Sequence, residues 1–241
     1  MNKLVIVTGA SRGLGLAICR QLLQQGFTVL ALARTLSTDL NALTEQYGSD
    51  LTFVSADLSD LDNIQPLCSE LIKQHGRPYA LINNAAVGYD GVLATMHNSE
   101  INALLNLNVQ APILLTKYLL RPMLLNQSGR IINISSIIAR TGFNGLSVYA
   151  ASKAALEGFT KSLSREVGKA GITVNCVAPG YMQTEMTNSL QGDKLESIKR
   201  RSPLGRLATP DDAAGAVLYL LSEQAAAITG TTITVDAGST A

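Results

Sequence analysis

Short apolar runs rich in β-branched residues alternate with longer amphipathic stretches from one end of the chain to the other. The runs predict strands over residues 4–8, 28–33, 51–56, 80–83, 130–135, 172–178 and 232–236. They are continuously apolar rather than alternating, the mark of strands covered on both faces. The stretches between them predict helices over 14–25, 39–47, 64–75, 101–125, 148–169 and 210–222. Asp60, Ser147 and the Thr209-Pro210 pair mark helix starts, and Gly26, Gly48, Gly76 and Gly171 mark stops. No repeat, low-complexity tract or linker divides the chain. The pattern therefore predicts one α/β domain over residues 1–241, a doubly wound, mostly parallel sheet with helices on both faces.

Composition narrows the class. Charged residues make up 15% of the 241 positions and the hydrophobic set 46%, against a usual charged share of about 25%, which excludes a disordered chain. Lys and Arg number 19 against 18 Asp and Glu, a net charge of +1. No basic stripe is present, so nucleic acid is not an expected partner. Cys19, Cys68 and Cys176 are far apart, without a CxxC pair and with only two histidines in the chain. Neither a disulfide framework nor a metal site is expected, and a reducing compartment fits best. After Lys3 only Leu4, Val5, Ile6 and Val7 are apolar before Thr8, too short a run for a secretion signal. Lys117 and Arg121 interrupt the greasiest helix, so no run reaches the roughly 18 apolar residues of a membrane span. The expectation is a soluble, cytoplasmic protein.

The first chemical signal joins the first strand to the first helix: Thr8-Gly9-Ala10-Ser11-Arg12-Gly13-Leu14-Gly15. Glycines there permit a tight turn and close backbone approach, and free N–H groups at a helix start attract a pyrophosphate. The spacing, G-x-x-x-G-x-G, differs from the common dinucleotide fingerprint. A site for NAD usually places an acid at the end of the second strand to grip the ribose 2′-hydroxyl. Here Ala33 is followed by Arg34 and Thr35. With Arg12 in the glycine loop, Arg34 could pair with a 2′-phosphate, which favours NADP(H) over NAD(H). The plainer alternative is a solvated arginine ending a strand.

The second signal is Tyr149-Ala150-Ala151-Ser152-Lys153 at the start of a helix, where the i, i+4 spacing puts phenol and ammonium on one face. A free tyrosine is about 0.1% ionised at pH 7, and lowering its pKa by three units takes about 4 kcal/mol. Lys153, helped by the charge of an oxidised nicotinamide, is the right kind of agent. Ser135 and Ser136 end the fifth strand and Asn83-Asn84-Ala85-Ala86 the fourth, at the carboxyl edge where open α/β sheets bind ligands. Either serine could hold a carbonyl or merely cap the strand. Pro112 cannot donate to the carbonyl of Asn108 four residues earlier, leaving that carbonyl for a water or another polar group.

Together these residues resemble the short-chain dehydrogenase/reductase family over essentially the whole chain. Its motifs appear in order: the glycine turn, 83–86, Asn108, Ser136, Tyr149 with Lys153, then Pro179-Gly180 and Thr184. The family's serine-to-tyrosine spacing of thirteen positions selects Ser136 over Ser135. The resemblance implies a Rossmann-like domain in which Tyr149 is the general acid of reduction and Ser136 polarises the carbonyl. Lys153 would lower the Tyr149 pKa and hold the nicotinamide ribose, and Asn108 would anchor a water relaying protons to Lys153. Along the cofactor it implies Gly9, Ser11, Arg12, Gly13, Leu14 and Gly15 at the phosphates, Arg34, Asp57 and Leu58 toward the adenosine end, and Asn83 and Ala85 at its ribose. Pro179, Gly180 and Thr184 would approach the nicotinamide. One departure is Ala86, where the family usually has glycine.

Within the family the likeness is to its reductases of 3-oxoacyl groups on acyl carrier protein, carried by residues 129–136, 164–167, 171–175, 228–230 and 236–238. That implies an acidic carrier protein docking beside the site entrance at Arg130, with Lys169 beside the position of a second expected arginine. A reductase of a free alcohol, sugar or ketone shares many of these stretches, and a dinucleotide sensor or an inactive partner subunit would keep the fold. Residues 183–207 turn polar after the sixth strand, as a substrate lid or an ordinary surface helix pair would. The apolar helices near 113–125 and 213–221 need burial on every side, which points to subunit contacts, and the resemblance to a homotetramer.

Overall fold

The computed structural model describes residues 3–182 and 199–241. Seven strands form one sheet: β1 (Leu4–Thr8), β2 (Thr28–Ala33), β3 (Leu51–Ser55), β4 (Ala80–Asn83), β5 (Gly129–Ile134), β6 (Ile172–Pro179) and β7 (Thr232–Val235). Their order is β3-β2-β1-β4-β5-β6-β7, and every pairing is parallel. The order reverses between β1 and β4, so a crevice opens there at the strands' carboxyl ends, where ligands of doubly wound sheets bind.

Helices cover both faces: α1 (Gly13–Gln24), α2 (Thr38–Tyr47), α3 (Ile64–His75), α4 (Asn98–Leu105), α5 (Ala111–Asn126), α6 (Ile138–Thr141), α7 (Ser147–Val167) and α8 (Pro210–Leu221). The alternation of β1 divides the core. Val5 and Val7 pack with α1 and α8 through Ile18, Leu22, Val217 and Leu220. Leu4 and Ile6 pack on the other face with α3, α5 and α7 through Ile64, Leu115 and Leu163. Burying a Leu, Ile or Val contributes about 1.5–3 kcal/mol, so continuous apolarity stabilises both layers at once.

Three local expectations need correction. The helix expected over 101–125 starts earlier, at Asn98, and is broken by a π turn at Asn106–Gln110 before α5. Pro112 stands in the first turn of α5 and has no N–H for the carbonyl four residues back, so the ladder widens there. Asp60 precedes only a 3₁₀ turn, Leu61–Asn63, and its side chain caps nothing. Ser147 lies inside α7, whose cap position is Leu146. Thr209 does start α8 as expected: its hydroxyl accepts from the Asp212 N–H at 3.1 Å and the Asp212 carboxylate answers back.

Candidate active site

The glycine turn is built by what is missing from it. Gly9 and Gly13 take φ of +66° and +54°, which side chains resist. A Cβ on Gly9 would stand 2.9 Å from the Ala85 Cα, and one on Gly15 would run into the Gly9 carbonyl. Asn84 bolts this turn to the end of β4, its Nδ2 donating to the Thr8 carbonyl at 2.8 Å and the Gly9 carbonyl at 3.2 Å. Thr8 Oγ1 accepts from the N–H groups of Asn84 and Ala85, both at 2.9 Å. No side chain caps α1, and no acid lies in its first turn, so its N–H groups suit an anion. This geometry fits the pyrophosphate of a dinucleotide.

Arg34 follows β2 directly and is exposed. The hydroxyl and N–H of Ser59 hold the Asp57 carboxyl below its usual range, and the charge of Arg34 adds to this. Arg34 and Asp57 therefore share one edge of the crevice. Leu58 is a core residue, packed with Leu32 and Ile64, so only its main chain remains for a cofactor. The Asn83 side chain also turns inward: its Nδ2 donates to Asn133 Oδ1 at 2.8 Å and Thr116 Oγ1 at 3.2 Å.

On the other side of the crevice, α7 carries Tyr149 and Lys153. The Lys153 ammonium lies 5.6 Å from the Tyr149 ring centroid and donates to the Ile134 carbonyl at 2.9 Å. Ser136, just beyond β5, lies near enough to the phenol to lower its pKa and accepts from the Ile138 N–H at 3.3 Å. Three of the four expected catalytic residues thus converge at one edge. In the protein by itself burial dominates their acidity. It pushes the Tyr149 phenol up, against the Ser136 hydroxyl that pulls it down, with nearby Tyr181 raising it further. Burial also pushes the Lys153 ammonium down to about 8. The expected lowering of Tyr149 by Lys153 is therefore absent from the protein alone.

Asn108, fully buried in the π turn, spends its amide on structure. Its Oδ1 accepts from the Val87 N–H at 2.9 Å, and its Nδ2 donates to the Val87 carbonyl at 2.9 Å and Ser152 Oγ at 3.2 Å. Ser152 Oγ donates in turn to the Tyr149 carbonyl at 2.7 Å. The side chain is thus a brace between the β4 loop and α7, which leaves the main-chain carbonyl as the group to anchor a water. Pro179 ends β6, and its carbonyl accepts from Ile137 N–H at 3.1 Å, beside Ser136. Gly180 is required by Asp236, whose Cβ would lie 2.6 Å from a side chain there. Thr184 and most of the expected lid, residues 183–198, lie outside the described residues.

Arg130 is the plainest correction. Its side chain is 6% exposed and faces Glu223 at 3.7 Å, the Gly129 carbonyl at 2.9 Å and the Tyr79 ring. It is the second residue of β5 and the exposed Lys169 precedes β6, so both lie at the sheet edge opposite Ser136. The six residues of β5 span about 20 Å, and one subunit does not place this dock beside its own entrance. Sequence reasoning weighed Ser135 only as an alternative to Ser136, and it passed over Arg140, Glu157 and Tyr181. Among the described residues the buried Tyr181 hydroxyl has no hydrogen-bond partner, and it bears electrostatically on Tyr149. Its only signal was its place directly after Pro179-Gly180.

A family model described as enoyl-(acyl carrier protein) reductase matches residues 9–240. The chain is 38% identical over 237 residues to the 3-oxoacyl-(acyl-carrier-protein) reductase FabG of Vibrio harveyi and equally to that of Escherichia coli (strain K12), covering 98% of this chain and 97% of each relative. Nodulation protein G of Rhizobium sp. (strain N33) is 39% identical over 233 residues, 97% of this chain and 95% of that one. Among solved structures, a proposed NAD(P)-dependent gluconate 5-dehydrogenase from Beutenbergia cavernae, with NADP bound at low occupancy, superposes with a TM-score of 0.92. It is 33% identical, over 98% of this chain and 96% of that one.

Proposed function

The chain belongs to the short-chain dehydrogenase/reductase family, and on that footing we propose that it reduces the 3-oxo group of an acyl thioester, carried on acyl carrier protein, to a 3-hydroxy group at the expense of NADPH. The observation that carries this reading is the convergence of Tyr149, Ser136 and Lys153 on one edge of the crevice whose other side is the glycine turn. The turn and the α1 N-terminus would hold the pyrophosphate, and Arg34 the 2′-phosphate. When bound, NADPH would supply the hydride for the carbonyl carbon. Ser136 and Tyr149 present two hydroxyls to the carbonyl oxygen, and Tyr149 gives its proton there, so the C=O becomes CH–OH. The Lys153 ammonium beside the phenol supports that transfer and would hold the nicotinamide ribose.

The FabG relatives, by name reductases of 3-oxoacyl groups on acyl carrier protein, support the thioester substrate. The gluconate dehydrogenase neighbour favours a second reading, a free hydroxy compound. NADPH oxidation with acetoacetyl-CoA, set against a panel of sugars and ketones, separates the two. Turnover of the panel with none of the thioester would overturn the first. Lys169, the exposed member of the expected dock, sits at the far edge, so a carrier held there would serve another subunit. The exposed Leu125 and Tyr219 on the two apolar helices, at 64% and 45%, support a homotetramer, which the chromatographic mass tests. Among the described residues no helix is long and apolar enough to cross a membrane. Three free, buried thiols suit the cytoplasm.

A further inference from the structure

We propose that Glu157 is a positioning residue that fixes the Ser136 segment against Tyr149, an inference that rests on the reductase reading above. Glu157 lies on α7 one turn beyond Lys153 and two beyond Tyr149, on the same stripe of the helix. It is only 8% exposed, where a carboxylate needs partners to offset the loss of water. Its partners bracket the catalytic serine. Oε1 accepts from the Ser135 hydroxyl at 3.0 Å, one residue before Ser136. Oε2 accepts from Arg140 Nε at 3.0 Å, four residues after it, on the short helix α6.

The same helix holds the segment at two further points. Lys153 Nζ donates to the Ile134 carbonyl at 2.9 Å, and Ser135 Oγ also approaches the Lys153 carbonyl at 3.3 Å. The element that carries the proton donor therefore clamps the chain carrying the carbonyl-orienting hydroxyl on both sides. Stability alone is a poor reason for the arrangement. Arg140 is half exposed, with 48% of its side chain open, and such pairs contribute little, while burying the carboxylate is costly. What the clamp supplies is a fixed separation between two hydroxyls that must meet one oxygen, and a misplacement of about 1 Å at such a site costs about a hundredfold in rate.

The test is a double-mutant cycle on the full chain, with NADPH and acetoacetyl-CoA: wild type, Glu157→Ala, Ser136→Ala and both together. Glu157→Ala is expected to lower kcat by about ten- to a hundredfold, with the KM for NADPH changed by less than about twofold. In the Ser136→Ala background the same substitution should cost less than about twofold, because Glu157 acts through Ser136. Equal losses in both backgrounds, or a lowered melting temperature with kcat intact, would overturn the proposal. Glu157→Gln, which keeps the shape and removes the charge, takes the place of the alanine variant if that one does not fold. Hydrogen exchange at Ala139, Arg140 and Thr141, whose N–H groups bond back to Ser136 and Ile137, reads the clamp without turnover. Faster exchange in the variant sustains the clamp even if wild type leaves the thioester untouched, a result that would sink the substrate reading alone. Unchanged exchange sinks the clamp.

Discussion

The two sides of the crevice achieve precision by opposite means. From β1 to β4 the site is made of backbone: glycines at 9, 13 and 15 let main chains approach, and Thr8 and Asn84 serve only to lock those main chains together. From β5 onward it is made of side chains on one long helix, each tied to the strand end it faces. On the proposed function, the first side would offer donors to a charge present in every dinucleotide, so it needs close approach more than chemical variety. On the same reading, the second would move a proton at one atom, which needs groups whose acidity the surroundings set.

That contrast predicts different failures on each side. Tyr149→Phe removes the proposed proton donor and little else, so turnover should fall by about 10²–10⁴-fold while fluorescence titration shows NADPH affinity nearly unchanged. Residual turnover within tenfold of wild type would break the assignment. Gly15→Ala should do the reverse damage, because the new methyl meets the Gly9 backbone and the Asn84 amide. Cofactor binding should be lost, with about 1–3 kcal/mol of stability lost in denaturant melts; full NADPH affinity would show that the cradle is not the phosphate site. Arg34→Ala should lower the NADPH to NADH efficiency ratio by about tenfold, and an unmoved ratio would reject Arg34 as the 2′-phosphate ligand.

Acidity gives two smaller effects. With burial setting Lys153 at about 8 and Tyr149 raised, both are protonated at neutral pH. For reduction, kcat/KM should be level there and fall as pH rises through about 8, when the ammonium is lost; a profile level to pH 10 would count against Lys153. The same shift bears on folding. Lys153 has a pKa lower in the folded chain than the 10.5 of the unfolded one, so the unfolded state holds the proton more tightly. Its penalty is complete below about 8 and is relieved as pH rises toward 10.5. Lys153→Met should therefore be inactive yet more stable at pH 7 by about 1 kcal/mol, a gain that shrinks at pH 10. A gain that does not change with pH would point to packing instead.

The sheet was legible because each strand is apolar throughout: β1, β2 and β4 match their expected bounds, β5 shifts by one residue at both ends, and the others shift by one residue at their carboxyl end. The convergence of Tyr149, Lys153 and Ser136 was legible because helical spacing joins Tyr149 to Lys153 and the family's spacing selects Ser136. The direction of a side chain was not. Asn83, which ends β4, and Leu58, which follows β3, both point into the core, which depends on a twist that no local pattern encodes. Arg130 misled because a motif match carries no strand direction. Glu157 escaped because a glutamate four residues after a lysine reads as a solvated helix pair, and only the strand end packed on it makes it buried.

The π turn at Asn106–Gln110 has a consequence for how this helix tolerates change in length. A wide turn holds one residue more than the regular ladder needs, and each residue advances a helix by about 100°. A single deletion there would let the ladder close, and the helix would look better formed than before. It would also rotate α4 against α5 and take the Asn108 amide away from Val87 and Ser152. The irregular turn acts as a spacer whose repair would uncouple the β4 loop from the helix that carries the phenol.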